Sequence, residues 1–261
     1  MTQSPKDWDP GAYQRFRGLR LRPALDLLLR LPEAPEGDVV DLGCGDGAVA
    51  GPLRDVFPDR RIVGVDSSSA MLAHAVGYDE TRHSEIAQWA PGAPEQRPAV
   101  IFSNAALHWL PHHETLLPHL VQMLIPAGLL GVQMPRQFDE PSHRLLRDIA
   151  ERLFPDRFWF GDWVAPVAPP SAYHRLLSPL GEVDLWETDY LQALPAVGEG
   201  HPVRAFTEGA ALRPFIARLG EGEVQEFLAA YDDALGFAYP AEADGTVLFP
   251  FRRLFLVLRR D

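Results

Sequence analysis

Residues 39–50, with the sequence VVDLGCGDGAVA, decide the fold of this 261-residue chain. A short apolar run ends at Leu42, a glycine-rich turn follows, and a helix is predicted to begin near Asp46. Because glycine has no Cβ, the main chain at Gly43 and Gly45 can approach a ligand closely. The N-terminus of the predicted helix follows the turn directly, and its first backbone N–H groups have no partner within the helix. Because further short apolar strands alternate with helices along the chain, we predict an α/β fold with a parallel sheet and a ligand at the end of its first strand.

An acidic residue further along the chain indicates what kind of ligand this is. Residues 61–65 (RIVGV) form a second apolar strand, and Asp66 ends it about twenty residues after the turn. A carboxylate only accepts hydrogen bonds, so it suits the hydroxyls of a ribose. The turn and Asp66 together predict a nucleoside-containing cofactor.

The charges around the turn distinguish between two such cofactors. Gly43, Gly45 and Ala48 have the loose spacing of a dinucleotide-binding turn, so spacing alone leaves a nicotinamide cofactor open. Asp41 and Asp46, however, would repel a pyrophosphate. S-adenosylmethionine has no phosphate and carries an ammonium and a sulfonium group, for which nearby carboxylates are favourable. We therefore predict S-adenosylmethionine as the cofactor.

The composition excludes several classes of protein. Apolar residues make up 46% and charged residues 23% of the chain, which is typical of a globular protein and not of a disordered one. The single cysteine, Cys44, excludes a disulfide scaffold and, with the polar residues 1–8, predicts a cytoplasmic location. A net charge of −12 argues against a nucleic-acid partner. If the substrate is an anion, local arginines must overcome this charge.

Residues 115–135 carry no Asp, Glu, Lys or Arg and are long enough to cross a bilayer. Their pattern nevertheless changes from helical spacing to a turn at residues 125–128 and then to a buried strand. We therefore predict a helix, a turn and a core strand, and no membrane partner.

The second half of the chain is predicted to add an antiparallel edge to the sheet. After residue 134 the pattern indicates a helix at 141–154, an aromatic loop at 155–172, a strand at 182–191, two or so helices at 202–238 and a final strand at 246–258. A weak strand is also expected near residues 84–86. We predict that residues 1–195 and 245–261 form the cofactor-binding core and that residues 196–244 form a helical cap.

Further motifs extend a family resemblance along nearly the whole chain. The glycine turn resembles motif I of the class I methyltransferases. The chain resembles the trans-aconitate methyltransferases in Trp8-Asp9-Pro10 with Tyr13, SNAALHWLP at 103–111, LLPHL at 116–120, VQMP at 132–135, EPSH at 140–143, VDLWETDY at 183–190, ALRPF at 211–215 and FPFRRLFLV at 249–257. The resemblance implies a Rossmann-like sheet, mostly parallel with an antiparallel C-terminal strand. It also implies methyl transfer to a carboxylate of trans-aconitate. Asp46, Glu85 and Ala99 depart from the family pattern.

The resemblance also implies roles for residues around the cofactor. Asp66 would bind the ribose, Met71 would flank the adenine, and Glu85 with Ile86 would contact it. Asn104, at the end of the fourth strand, is predicted to meet the methionine part of the cofactor. The full set of predicted cofactor residues is Asp41, Gly43, Cys44, Gly45, Asp66, Ser67, Met71, Glu85, Ile86, Asn104 and Arg20.

The acceptor chemistry needs no catalytic acid or base. A carboxylic acid has a pKa near 4, so it is already an anionic nucleophile at neutral pH, and catalysis can come from positioning alone. Arginine forks suit the carboxylates of a small anionic substrate. Aromatic faces suit a sulfonium. The predicted substrate residues are Tyr13, Arg22, Trp109, Arg213 and Arg253.

Several alternatives stay open at this point. One is methylation of another small acid or of a phenol, for which His108 could act as a base. The others are a nicotinamide-dependent oxidoreductase and a non-catalytic module that binds S-adenosylmethionine. His112 and His113 are adjacent, so on a helix they point about 100° apart, and no metal site is predicted. The protein is expected to be a monomer or a weak dimer.

Overall fold

The structure is a computed structural model that describes the backbone of residues 17–261 and the side chains of residues 21–261. The predictions for Tyr13 and for the side chain of Arg20 lie outside these residues. The α-helices are α1 Arg17–Arg30, α2 Ala50–Val56, α3 Ser69–Leu72, α4 His113–Met123, α5 Pro141–Leu153, α6 Pro170–Leu177, α7 Pro202–Thr207, α8 Arg213–Ile216 and α9 Glu221–Ala238. The strands are β1 Val39–Leu42, β2 Ile62–Asp66, β3 Glu80–His83, β4 Val100–Asn104, β5 Leu129–Pro135, β6 Gly181–Leu194 and β7 Val247–Arg260.

The strands form one seven-stranded sheet in the order β3-β2-β1-β4-β5-β7-β6. The first five strands of this order pair in parallel, and β7 pairs with β5 in antiparallel register. The prediction of a mostly parallel α/β sheet with an antiparallel C-terminal strand is confirmed. We use the term carboxyl end of the sheet for the place where the parallel strands finish, at Leu42, Asp66, His83, Asn104 and Pro135.

The uncharged segment at 115–135 folds as its pattern predicted. It contributes most of α4, a turn that includes Ala127 at φ 60°, and β5, in which every residue is buried. Across the described part of the chain, none of the helices combines the length and the apolar character that a bilayer crossing requires.

Two local predictions around the first half of the sheet are wrong. The second helix begins at Ala50 and not near Asp46. The strand expected near residues 84–86 lies earlier, at Glu80–His83, while Ile86–Gln88 form a 3₁₀ turn. Strand β3 has the polar sequence ETRH, so it carries no hydrophobic pattern from which a strand could be predicted.

The chain divides into two compact units. The first contains the residues up to 135 together with 166–187 and 253–261, and the second contains 136–165 and 188–252. The second unit is larger than the predicted cap because α9 packs against α5, where the Tyr231 hydroxyl donates to the Ser142 carbonyl at 2.6 Å. That residues 196–244 act as a separate cap domain stays a prediction.

Candidate active site

The turn after β1 is built from glycines in conformations that other residues adopt only with strain. Gly43, Gly45 and Gly47 have φ values of 80°, 55° and 85°. The N–H groups of Gly43 and Cys44 both donate to the Val65 carbonyl, at 2.8 and 3.0 Å, which holds the turn against the end of β2. A Cβ at position 43 would overlap with the Cβ of Ala106. The backbone of the turn therefore lies closer to its surroundings than side chains would allow.

The structure brings Asp66 to this turn. One carboxylate oxygen, Oδ2, accepts the N–H of Gly45 at 2.9 Å, and the other, Oδ1, accepts the N–H of Ser68 at 2.8 Å. Each oxygen has a further lone pair, and the side chain is only half-buried. Asp66 is thus fixed in place and can still accept hydrogen bonds from a ligand. Ser67 stands between Asp66 and Ser68 in the sequence, and it is exposed.

Two apolar side chains flank the turn. Met71, buried in α3, has its Cε 3.3 Å from the position of a Cβ at Gly45. Ile86, also buried, has its Cδ1 3.5 Å from the position of a Cβ at Gly43. Glu85 is exposed and directly precedes the 3₁₀ turn that carries Ile86. The residues predicted for the adenine are therefore gathered beside the turn.

A buried acid and a tyrosine lie beneath the turn. Asp41 is 1% exposed, and its Oδ2 accepts the Tyr78 hydroxyl at 2.6 Å. Burial raises the pKa of Asp41 from 3.8 to about 7, against the lowering effect of the bond from Tyr78. Burial, together with the charges of Asp41 and Asp66, raises the pKa of the Cys44 thiol, which agrees with a packing role for this cysteine and not a nucleophilic one.

Tyr78 was missed by the sequence analysis, although one residue signals its position. Gly64 lies opposite Asp41 in the register of β1 and β2, and a Cβ there would come within 2.9 Å of the Tyr78 ring. A glycine inside an apolar strand often marks such a close approach. Gly64 in the strand IVGVD thus indicated that another group lies close to the backbone, but it did not show that this group is Tyr78.

Further along the carboxyl end of the sheet, amides and an arginine replace the carboxylates. Asn104 ends β4 and lies in register with Gln133 of β5. Arg253 of β7 lies in register with Pro135, the last residue of β5, and is 5% exposed. We call the part formed by Asp66 and the glycine turn the acidic half, and the part formed by Asn104, Gln133 and Arg253 the amide–arginine half.

Trp109 follows the end of β4 and is held by a buried hydrogen-bond chain. It belongs to the 3₁₀ turn Leu107–Trp109 and is 51% exposed. His113 contacts the Leu107 carbonyl through Nε2 at 2.9 Å and the Tyr173 hydroxyl through Nδ1 at 2.6 Å. The carbonyl can only accept, so Nε2 donates to it, and in the neutral imidazole Nδ1 then accepts from the Tyr173 hydroxyl. This chain fixes the turn that presents Trp109.

Two further predicted substrate residues, Arg22 and Arg213, lie on helices. Arg22 is exposed on α1. Arg213 is half-buried at the start of α8, in the second compact unit. In the part of the chain that the structure describes, no group of three His, Cys, Asp or Glu side chains could hold a metal ion. His112 contacts Glu114 at 3.1 Å and is not directed to the partners of His113.

Comparisons with known proteins show the family of this chain. The model of a family described as a methyltransferase domain matches residues 13–175. A trans-aconitate 2-methyltransferase of Azoarcus sp. (strain BH72) is 41% identical over 261 residues, which cover 97% of this chain and 99% of that protein. Another, of Methylobacterium nodulans, is 45% identical over 97% of this chain and 98% of its own length. This chain belongs to the trans-aconitate 2-methyltransferase family.

A solved structure supports the fold of this family member. The Haemonchus contortus phosphoethanolamine N-methyltransferase 2, in complex with S-adenosyl-L-methionine, matches with a TM-score of 0.56 at 13% identity. The match covers 96% of this chain, which spans 56% of the length of that protein. The Rossmann-like methyltransferase fold that the family resemblance implied is thus confirmed.

Proposed function

We propose that the protein is an S-adenosylmethionine-dependent O-methyltransferase that esterifies one carboxylate of trans-aconitate. The observation that carries the proposal is the meeting of Asp66 with the glycine turn, in a chain whose relatives at 41% and 45% identity are named trans-aconitate 2-methyltransferase. We also propose that it acts in the cytoplasm as a monomer or weak dimer, without nucleic-acid or membrane partners.

The acidic half fits the proposed cofactor. Gly43 and Gly45 turn the backbone at positive φ, Asp66 has further acceptor capacity, and Met71 and Ile86 supply apolar flanks for a flat ring. A cation suits this half, because Asp66 places a carboxylate against the glycine turn. When bound, S-adenosylmethionine would supply a methyl group from its sulfonium sulfur to an acceptor oxygen, and the sulfur would become a neutral thioether.

The amide–arginine half fits an anionic acceptor. Arg253 places a buried guanidinium at the carboxyl end of the sheet, where it can compensate the charge of a carboxylate. The acceptor needs no deprotonation at neutral pH, so the protein has only to hold the nucleophilic oxygen and exclude water. The positive charge of Arg253 also attracts an anion locally, although the net charge of −12 repels it.

We assign the other predicted residues on the same basis. Trp109, beside the end of β4, would line the methyl-transfer site with its aromatic face. We propose Asp41, Cys44, Ser67, Glu85, Asn104 and Arg20 as further cofactor residues, and Tyr13, Arg22 and Arg213 as further substrate residues.

The test is methyl transfer to a defined panel of acceptors. The protein would be incubated with S-adenosylmethionine labelled in its methyl group and with trans-aconitate, related tricarboxylates, a monocarboxylate and a phenol. We expect a base-labile methyl ester with trans-aconitate and none with the phenol. Label on the phenol alone, or no label on any acid, would contradict the proposal.

A further inference from the structure

Gln133 is a fully buried amide whose hydrogen-bonding groups have no partner in the described part of the chain. Its side chain is 0% exposed, and neither Nε2 nor Oε1 has a hydrogen-bond partner within the part of the chain that the structure describes. Burying an amide in this way is unfavourable, and a methionine of similar size would fill the same space without that cost. The glutamine therefore indicates a ligand that supplies the missing hydrogen bonds.

The sheet register places Gln133 between the other two residues of the amide–arginine half. On one side it lies opposite Asn104 of β4, whose buried Oδ1 also has no partner among the described residues. On the other side it lies opposite Phe255 of β7, two residues from Arg253. Neighbouring strands are about 4.8 Å apart, and diagonal neighbours about 7–8 Å, within reach of long side chains. A small acid beside Gln133 can therefore contact both Gln133 and Arg253, while Asn104 lies on the side of the row that faces the proposed cofactor.

All these side chains lie on one face of the sheet. A Cβ at Gly131 would lie 3.8 Å from Leu27 of α1, so residues 131, 133 and 135 of β5 face that helix. Residues paired in register share a face, which adds Asn104 and Arg253 to the same side. The amide is thus directed to the side of the sheet on which Arg253 lies.

The charge change during methyl transfer decides which carboxylate of the acid suits an amide and which suits a guanidinium. The carboxylate that is methylated loses its negative charge as the ester forms, so a guanidinium on it would stabilise the starting state more than the transition state. An amide N–H can orient that oxygen without compensating its charge. A carboxylate that is not methylated keeps its charge throughout, and a guanidinium suits it.

We infer that the Gln133 amide binds the carboxylate that becomes methylated, while Arg253 binds a carboxylate that keeps its charge. Gln133 therefore selects which carboxyl group of a polycarboxylic acid becomes the ester. This inference rests on the proposed function.

The experiment compares Gln133→Met with the wild-type protein. The nucleophile is less well placed in the variant, so kcat should fall about 10- to 100-fold with a smaller change in KM. The product, analysed by NMR, should change from a single monomethyl ester to a mixture of isomers. Calorimetry should show the affinity for S-adenosylhomocysteine unchanged, and the thermal midpoint should not fall, because an unpaired buried amide is removed.

A matched control and a second variant complete the test. Gln192 of β6 is also buried, at 4% exposure, and its Oε1 has no partner among the described residues. Gln192→Met should keep the kcat and the single ester. If Gln133→Met does not fold, Gln133→Glu, which keeps the side-chain size, should bind the acid at least about tenfold more weakly in calorimetry with S-adenosylhomocysteine.

The outcomes separate this inference from the proposed function. A wild-type protein that forms the ester, with an unchanged kcat and product in Gln133→Met or an unchanged acid affinity in Gln133→Glu, would overturn the role of Gln133 alone. A wild-type protein that methylates no carboxylic acid would overturn both.

Discussion

The two halves of the carboxyl end of the sheet differ in what determines their shape and charge. In the acidic half the backbone forms the site, because glycines turn the chain at positive φ and two backbone N–H groups hold Asp66. In the amide–arginine half the side chains make it, since Asn104, Gln133 and Arg253 project from ordinary strand positions. A backbone site tolerates almost no substitution, whereas a side-chain site can be changed one contact at a time.

The two halves also differ in the charge of their side chains. Along the sheet order β2-β1-β4-β5-β7, the side chains at the carboxyl end change from carboxylate to amide to guanidinium. A cationic methyl donor is favoured at one end of this row and an anionic acceptor at the other. We therefore expect a substitution of Asp66 to affect the methyl donor alone and a substitution of Arg253 to affect the acid alone.

The largest effect is expected from breaking the backbone of the acidic half. Gly43→Ala would place a Cβ against Ala106 at a φ of 80°, so both overlap and backbone strain oppose it. We expect the free energy of unfolding to fall by about 3 kcal/mol or more, measured by urea denaturation. Gly51→Ala is the control, because no atom lies within 4 Å of its Cβ position, and it should be neutral or slightly stabilising. Equal losses in the two variants would contradict the account.

The next largest effect is expected on the affinity for the cofactor alone. Asp66→Ala removes the acceptor for Gly45 and Ser68 and the proposed acceptor for the ribose, so the affinity for S-adenosylhomocysteine should fall about 100-fold or more. Calorimetry measures this directly. Asp55→Ala, at an exposed position of α2, should leave the affinity within about twofold. A near-normal affinity in Asp66→Ala would show that the acidic half is not the cofactor site.

The complementary substitution is in the amide–arginine half. Arg253→Met removes the guanidinium, so the KM for the acid should rise about 10- to 100-fold with the cofactor affinity unchanged. Arg259→Met is matched to it, because Arg259 is on the same strand but pairs with Leu129 at the opposite end of the sheet. Steady-state kinetics should show no change in KM for this control. A large loss of cofactor affinity in Arg253→Met would mean that the two halves are not separate.

The smallest effect concerns the support beneath the turn. The pKa of Asp41 in the folded protein is about 7, above its ordinary 3.8, so the folded state binds this proton more tightly and loses stability as the pH rises from about 4 to about 7. The Tyr78 hydroxyl stabilises the charged carboxylate. Tyr78→Phe should therefore lower the free energy of unfolding by about 1–2 kcal/mol at pH 8, and by less at pH 5.

Urea denaturation at the two pH values checks this prediction. In an Asp41→Asn background there is no carboxylate to stabilise, so the effect of Tyr78→Phe should become the same at both pH values. A loss that is already independent of pH in the presence of Asp41 would show that Tyr78 acts only through packing.

The acidic half was largely predictable from the sequence because its determinants are local. Gly43, Gly45 and the strand that ends in Asp66 are short patterns, and two parallel strands bring their carboxyl ends together without knowledge of the rest of the fold. The final antiparallel strand was also predictable, from its long apolar run.

The roles of Tyr78 and Gln133 could not be predicted in this way. Tyr78 reaches Asp41 across 37 residues of sequence, and only the register of β1 with β2 shows that Gly64 makes room for it. Gln133 is one polar residue in an apolar strand, and its importance depends on a neighbour, Arg253, that is brought beside β5 by antiparallel pairing. Register and side-chain satisfaction are properties of the folded chain, so they appear only in the structure.

The most direct test of the central claim is a crystal structure of the protein with S-adenosylhomocysteine and trans-aconitate bound together. We expect the ribose hydroxyls within hydrogen-bond distance of Asp66. One carboxylate of the acid should lie at the Gln133 amide and another at the Arg253 guanidinium. An acid bound away from both side chains, or a ribose that does not contact Asp66, would contradict the division into a donor half and an acceptor half.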